Sequence, residues 1–203
     1  PPVPFPSLPF ALFFLVVLVL MWAVRGSRRL RNGLLLVASF FFYAGWDWRL
    51  ALLLGGSSTV TWLLGEQIAR SEGRTRQAWL WTAILGNVGL LGFFKYVGFF
   101  LENVDWLART LGLGAHVPVL EIPLPLGISF YTFQNLAYVV DLHRGYGHRA
   151  RSLWDYLLFN SFFPQLLTGP ICRSRDLLPQ IEADPPDAVP DPHRAVSLIA
   201  SGL

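Results

Sequence analysis

Between residues 124 and 141 the chain reads Leu-Pro-Leu-Gly-Ile-Ser-Phe-Tyr-Thr-Phe-Gln-Asn-Leu-Ala-Tyr-Val-Val-Asp, with hydrogen-bonding side chains recurring at helical spacing. At about 100° per residue, Tyr131, Gln134, Asn135, Tyr138 and Asp141 fall within an arc of roughly 120°, and Phe130, Phe133, Leu136, Val139 and Val140 occupy the rest. Such a stripe suits two kinds of chemistry. It could line a passage and offer hydrogen bonds to a polar substrate, or it could bond to neighbouring helices and serve stability alone. Asp141 and Arg144 are three residues apart at the expected helix end, where they could pair.

A second constellation lies at residues 162–180, where Pro164, Gln165, Gly169, Pro170, Arg173 and Arg175 crowd a largely apolar segment. Two prolines interrupt helical hydrogen bonding, and two arginines add charge that hydrocarbon does not tolerate. Arg173 and Arg175 could hold the phosphates of a donor such as acyl-coenzyme A through charge-assisted bonds. They could equally anchor to lipid phosphate or reflect the basic bias of cytoplasmic loops. No catalytic set assembles by spacing: the sequence contains no Gly-x-Ser-x-Gly elbow, no His-Glu-x-x-His pair and no Gly-rich phosphate loop. The four histidines, His116, His143, His148 and His193, are expected in loops or tails, away from any site that would make them general bases.

These residues have to be positioned by helices that sit in lipid. Hydrophobic residues make up 53% of the 203-residue chain and charged ones 14%, where ordinary soluble domains carry about 25% charged residues. A single cysteine, Cys172, excludes an internal disulfide framework and a multi-cysteine metal site, so no metal is expected. The net charge of +3 comes from arginines grouped between apolar runs, which excludes the continuous basic surface that nucleic acid requires.

A bilayer core of about 30 Å calls for some 20 apolar residues per helix. Six apolar stretches are candidates, at 5–24, 32–46, 50–64, 79–101, 122–141 and 153–172. The first ends in Arg25, Arg28, Arg29 and Arg31, the reverse of a signal peptide's order, and reads as a true span. Lys95, the one charge in the fourth stretch, is expected to snorkel towards an interface. Pro123 and Pro125 fit the first turn of the fifth stretch. Residues 66–77 and 102–121 read as polar connectors, and 182–192, rich in Asp and Pro, as a surface loop.

Simple alternation puts the arginine-rich segments after the first, third and fifth stretches on one side, which the positive-inside bias makes cytoplasmic, with the N-terminus outside. Arg173 and Arg175 would then emerge on the wrong side of a sixth span. A broken or re-entrant helix that dips in from the cytoplasmic side resolves the conflict, because Pro164 and Gly169-Pro170 interrupt it and irregular backbone can be sheltered inside protein. A plain span with outward arginines is the alternative. The chain opens on Pro1, and its last residues begin a further apolar run, so more chain is expected beyond Leu203.

The segment Pro125-Leu126-Gly127-Ile128-Ser129-Phe130-Tyr131-Thr132-Phe133-Gln134, continuing to Tyr138, Asp141, Arg144 and Gly145, resembles a signature of the bacterial membrane-bound O-acyltransferases. Phe163-Pro164-Gln165, Gly169-Pro170-Ile171, Arg173 and Asp176-Leu177 resemble its second signature, and Ser39 to Trp46 is similar to the same family. The likeness is strongest to the alginate O-acetyltransferase branch, and it implies an all-α polytopic fold of many helices around a tunnel. Residues 1–181 are then the N-terminal part of that domain, 182–203 a loop and the start of a further helix, and the remainder lies beyond the chain. The resemblance also implies that an acyl group, acetyl first, passes from a cytoplasmic donor such as acyl-coenzyme A towards an exported polysaccharide or an acyl-accepting protein. It places the protein in a bacterial inner membrane with no cofactor held permanently. The family's essential histidine belongs to a downstream Trp-His motif, and no Trp-His pair occurs here, so no catalytic residue is expected in this chain. What the resemblance supports is a passage-wall role for Tyr131, Gln134, Asp141 and the bend from Pro164 to Arg173. A transporter or export-complex subunit without its own chemistry could use the same stripe and broken helix.

Overall fold

The computed structural model describes residues 8–24, 26–45, 47–111, 125, 127–166, 171–184, 193, 194 and 197. Every regular element among them is helical: α1 (Leu8–Ala23), α2 (Arg28–Ala44), α3 (Trp48–Arg70), α4 (Gly73–Thr110), α5 (Ile128–Arg144), α6 (Leu153–Ser161), α7 (Phe163–Leu166) and α8 (Ser174–Glu182). Local chemistry sets many of the boundaries. The Asp47 carboxylate accepts from the Arg49 N–H at 2.8 Å and starts α3. Ser152 Oγ accepts from the Asp155 N–H and donates to the Asp155 carboxylate, starting α6. Two glycines bracket α5, Gly127 at φ 74° and Gly145 at φ 77°, in a left-handed conformation that side chains with a Cβ resist.

Several expected boundaries move. The polar connector at 66–77 is instead the last turn of α3 and the first turn of α4, separated by Ser71 and Glu72 alone. Polarity misled there, because a helix that leaves an apolar layer keeps its hydrogen-bond ladder while its side chains turn polar. For the same reason α4 runs on to Thr110, through half of the connector expected at 102–121. Pro125 stands before α5 rather than in its first turn, and its carbonyl accepts from the Ile128 N–H. Glu182 closes α8 as a buried residue rather than opening a loop, and His143 lies in the last turn of α5 rather than in a loop. Pro123, Gly169, Pro170 and His116 lie outside the described residues.

The sixth apolar stretch breaks, as expected, but it does so at Phe162, whose ψ of 105° ends α6, two residues before Pro164. Proline lacks an N–H and its ring would strike the carbonyl four residues back, so α6 cannot continue through it. Phe163 then anchors α7 in a cluster of rings from α1 and α2, with centroids 5.2 Å from Phe13 and 5.9 Å from Phe42. Beyond α7, Arg173 reaches Asp141 at the end of α5, where the α5–α6 connection begins. Entry and exit of the broken helix therefore share one end of the bundle.

α3, α4 and α5 pack on one another, and α2, α6 and α8 form the adjoining layer, with α1 against α2. Among the described residues, one helical segment is long and apolar enough to cross a bilayer unaided, Gly73–Leu107 of α4, with a mean hydropathy of 1.6. α1 is apolar but 16 residues long. Six independent spans are thus not what the helices display; α2, α3 and α5 carry polar faces that lower their hydropathy, and α6 is broken. The outward surface is apolar, with Val37 and Phe41 on α2 and Leu85, Phe99 and Phe100 on α4 all more than half exposed.

Candidate functional site

The predicted stripe on α5 faces the interior along its whole length, with Tyr131, Gln134, Asn135, Tyr138 and Asp141 all buried and Phe130 and Phe133 turned outward. Most of it is spoken for by protein. Gln134 donates to the Phe159 carbonyl at 2.9 Å. Asn135 donates to Asn87 Oδ1 at 3.0 Å and accepts from the Tyr156 hydroxyl at 2.8 Å. Asn87 on α4 donates in turn to Thr61 on α3 and to the Ala83 carbonyl, so one amide ties three helices together. Asn160 on α6 donates to Ser58 on α3 at 2.7 Å. The Tyr138 hydroxyl accepts from the Ala150 N–H, and the Tyr138 and Tyr156 rings lie 4.5 Å apart.

Near the start of α5 the picture differs. Among the described residues, the Tyr131 hydroxyl and Thr132 Oγ1 are buried with no hydrogen-bond partner, as are Ser161 Oγ and Asn160 Oδ1 on α6. Buried polar atoms left unmatched cost about 1–3 kcal/mol each, so such a group in a native fold asks for an explanation.

At the opposite end of α5 the arginines gather. Asp141 pairs with Arg173 at 3.3 Å rather than with Arg144, which is exposed, and this pair joins the two sequence constellations. Side-chain direction decides between the two partners: Asp141 points inward with the stripe, and Arg144 points out. Glu66 at the end of α3 takes Arg149 on both carboxylate oxygens, one at 2.7 Å, and Arg70 at 3.0 Å. Hydrogen bonding from Arg149 holds the Glu66 carboxyl below its usual range against the opposing effect of burial, with Arg70 adding to the pull. Glu182 accepts from His148 at 2.8 Å and from the Arg151 N–H at 2.7 Å, and its carbonyl accepts from Arg28. Arg76 donates to the Leu142 carbonyl. Arg28, Arg76, Arg149 and Arg151 thus come from all three arginine-rich segments to one end of the bundle, as alternation requires.

The remaining candidates are dispersed. Pro164 and Gln165 are half-buried in α7. Arg175 is half-exposed beside Asp176, 3.7 Å away, and does not join Arg173 around one ligand. Glu66, Asn87, Arg149 and Glu182 escaped the sequence reading. Asn87 carried a usable signal, a lone amide inside a long apolar run, which must find its partner within the bundle.

An all-helical bundle with a polar interior, a broken helix and a ring of arginine–carboxylate pairs at one end is the class of protein that fold and site define. Over most of its length the chain is similar to alginate O-acetylases and related proteins of the membrane-bound O-acyltransferase family. It is 36% identical to the probable alginate O-acetylase AlgI of Pseudomonas aeruginosa over 178 residues, covering 87% of this chain and 34% of that protein. It is 34% identical to a peptidoglycan O-acetyltransferase of Helicobacter pylori over 73% of this chain and 32% of that protein. A teichoic acid D-alanyltransferase of Lacticaseibacillus rhamnosus is 30% identical over 49% of this chain and 25% of that protein. The chain spans about a third of the length of the first two. No family model and no solved structure matches it.

Proposed function

We propose that this chain is part of a membrane-embedded O-acyltransferase that moves an acyl group, acetyl first, from a cytoplasmic donor such as acyl-coenzyme A towards an exported polysaccharide. The observation that carries the proposal is the 36% identity, over 87% of this chain, to a protein named for alginate O-acetylation. The protein would lie in a bacterial inner membrane, crossing it several times with its arginine-rich end in the cytoplasm and its N-terminus outside. Catalysis is assigned to a histidine outside this chain, in the Trp-His motif that the family resemblance implies.

Within this scheme the α5 stripe divides into two parts. Gln134, Asn135 and Tyr138 hold the wall in shape, since each is bonded to a neighbouring helix or loop. Tyr131, with its buried hydroxyl unmatched, is assigned to the passage surface, where a polar substrate would supply the missing partner. Asp141 and Arg173 brace the return of the broken helix, with Pro164 and Gln165 in α7 and Arg175 in the first turn of α8.

The test uses the full-length protein. Tyr131→Phe removes a hydroxyl with no hydrogen-bond partner among the described residues, so stability should not fall while polysaccharide acetylation slows. Unchanged acetylation in this variant would remove Tyr131 from the passage. Replacing the histidine of a Trp-His motif elsewhere in the protein should abolish acetylation, and full activity there would reject the enzymatic reading.

A further inference from the structure

Between the first turns of α2 and α6 lies a cavity of about 650 Å³, within the usual range for small-molecule sites of about 300–1,000 Å³. Its character changes with depth. Arg28, Arg29 and Arg151 stand at the arginine-rich end, and Leu36, Val37 and Trp154 line the apolar remainder. On α2 the order follows the helix axis: Arg29, Gly33 and Val37 recur every fourth residue on one face. Arg29 and Val37 are then separated by about 12 Å along the axis. Gly33 leaves the floor open between them, since a Cβ added there would meet nothing within 4 Å.

The charges are arranged for an anion. Arg28 and Arg151 are fixed in place through Glu182, Arg28 on its carbonyl and Arg151 on its carboxylate at 3.1 Å. Arg29 is exposed and has no partner among the described residues. Two carboxylates stand nearby, Asp155 in this cavity and Asp184 in an adjoining one that shares the three arginines. The Asp155 carboxylate is occupied by Asn32 at 3.2 Å and by the Ser152 hydroxyl at 2.7 Å, while Glu182 on Arg151 and Asp184 beside the three arginines offset part of their charge, so Arg29 is the arginine left for a ligand.

The apolar part points to the source of that anion. Val37 and Trp154 are each 68% exposed, and Val37 continues into the outward stripe of α2 through Leu30 and Phe41. An occupant lying along Val37 is therefore continuous with whatever covers that outer face. We propose that this cavity binds an anionic membrane phospholipid, its phosphate at Arg28, Arg29 and Arg151 and one acyl chain along Leu36, Val37 and Trp154. The site is separate from Tyr131 and the α5 stripe, and it rests on the membrane reading of the chain. Acyl-coenzyme A offers the same chemistry of phosphate and acyl chain, but its large soluble headgroup calls for a mouth open to water rather than a groove open along the apolar face.

The experiment uses full-length protein, extracted in detergent, stripped of lipid and given phosphatidylglycerol or phosphatidylcholine before native mass spectrometry. Wild-type protein should retain one phosphatidylglycerol in preference to phosphatidylcholine. Arg29→Gln should weaken that retention roughly five-fold, as expected for one basic residue near an anionic headgroup. Gly33→Leu should abolish it by filling the floor, and its thermal midpoint should not fall, because leucine suits a helix interior better than glycine. Inorganic phosphate and palmitoyl-coenzyme A, added as competitors, should leave the bound lipid in place. Equal retention of the two lipids, indifference to both variants, or displacement by palmitoyl-coenzyme A would overturn the proposal, the last by giving the cavity to a soluble acyl carrier. Release of the protein from membranes without detergent would instead defeat the membrane reading itself.

Discussion

Asn87 illustrates how a single amide can organise a bundle whose outer surface is oily. Inside such a bundle, apolar burial discriminates weakly between helix partners, because lipid is as apolar as leucine, and directional bonds take over the task. Asn87 accepts from Asn135 on α5 and donates to Thr61 on α3. Asn87→Leu should therefore lower stability by about 1–3 kcal/mol through the unmatched groups left on both neighbours. Thermal unfolding of the full-length protein in detergent would show this, and Asn135→Leu made in the Asn87→Leu background should cost much less than it does alone. Additive losses would mean that the two amides do not act together. Glu66 offers a second test, through pH. Its folded carboxyl titrates below the usual range because Arg149 bonds it, so it binds a proton less readily folded than unfolded. Its contribution is complete above the usual carboxylate range and fades as pH falls through the depressed folded value. The gap in unfolding midpoint between wild type and Glu66→Gln should shrink on acidification from pH 7; a gap independent of pH would show that ionisation of Glu66 plays no part. The sequence displayed the α5 stripe in full, because a period of 3.6 is a local property. It hid the partners of that stripe, because Asn87, Tyr156 and Phe159 sit on other helices and are brought to it only by packing.

At the scale of elements, two helices approach closely where α3 presents Gly65 to α5. A Cβ on Gly65 would lie 2.7 Å from Tyr138 Cε1 and 3.2 Å from Leu142 Cδ1, so a side chain there must push the Tyr138 ring into Tyr156 behind it. Overpacking of this kind costs about 1–3 kcal/mol. Gly56 lies on the same helix, where an added Cβ would meet nothing within 4 Å, and Gly56→Ala should gain about 0.5–1 kcal/mol from helix propensity. Gly65→Ala and Gly56→Ala should thus move the thermal midpoint in opposite directions. A shared direction would mean that propensity, rather than the contact with Tyr138, governs α3. The element boundaries show where sequence patterning fails: the turn between α3 and α4 was hidden by polar residues that sit inside helices. The break in the sixth stretch was visible because proline acts on its own backbone, yet its position depended on Phe163 finding the rings of Phe13 and Phe42.

The arrangement of the whole molecule turns on which end each connection occupies. Arg28 reaches the end of α8, Arg149 the end of α3 and Arg76 the end of α5, which gathers the arginine-rich connections at one end. Arg173, bonded to Asp141, brings the chain back to that end after α6 and α7. If the positive-inside bias governs insertion, that end is cytoplasmic and the broken helix never crosses. Labelling should be attempted at exposed positions; Ser174 is buried, whereas Arg175 beside it is half-exposed. In full-length protein carrying Cys172→Ser, cysteines at Arg74 and Arg175 should both react with a membrane-impermeant reagent from the cytoplasmic face alone. A cysteine at Glu102, on α4 some 28 residues and about 42 Å along the helix from Arg74, should react only from outside. Reaction of the Arg175 site from outside would turn α6 and α7 into a crossing, and with it would fall the bracing of the two constellations at one membrane face. Reaction at Arg74 and Glu102 from the same side would show instead that α4 does not span.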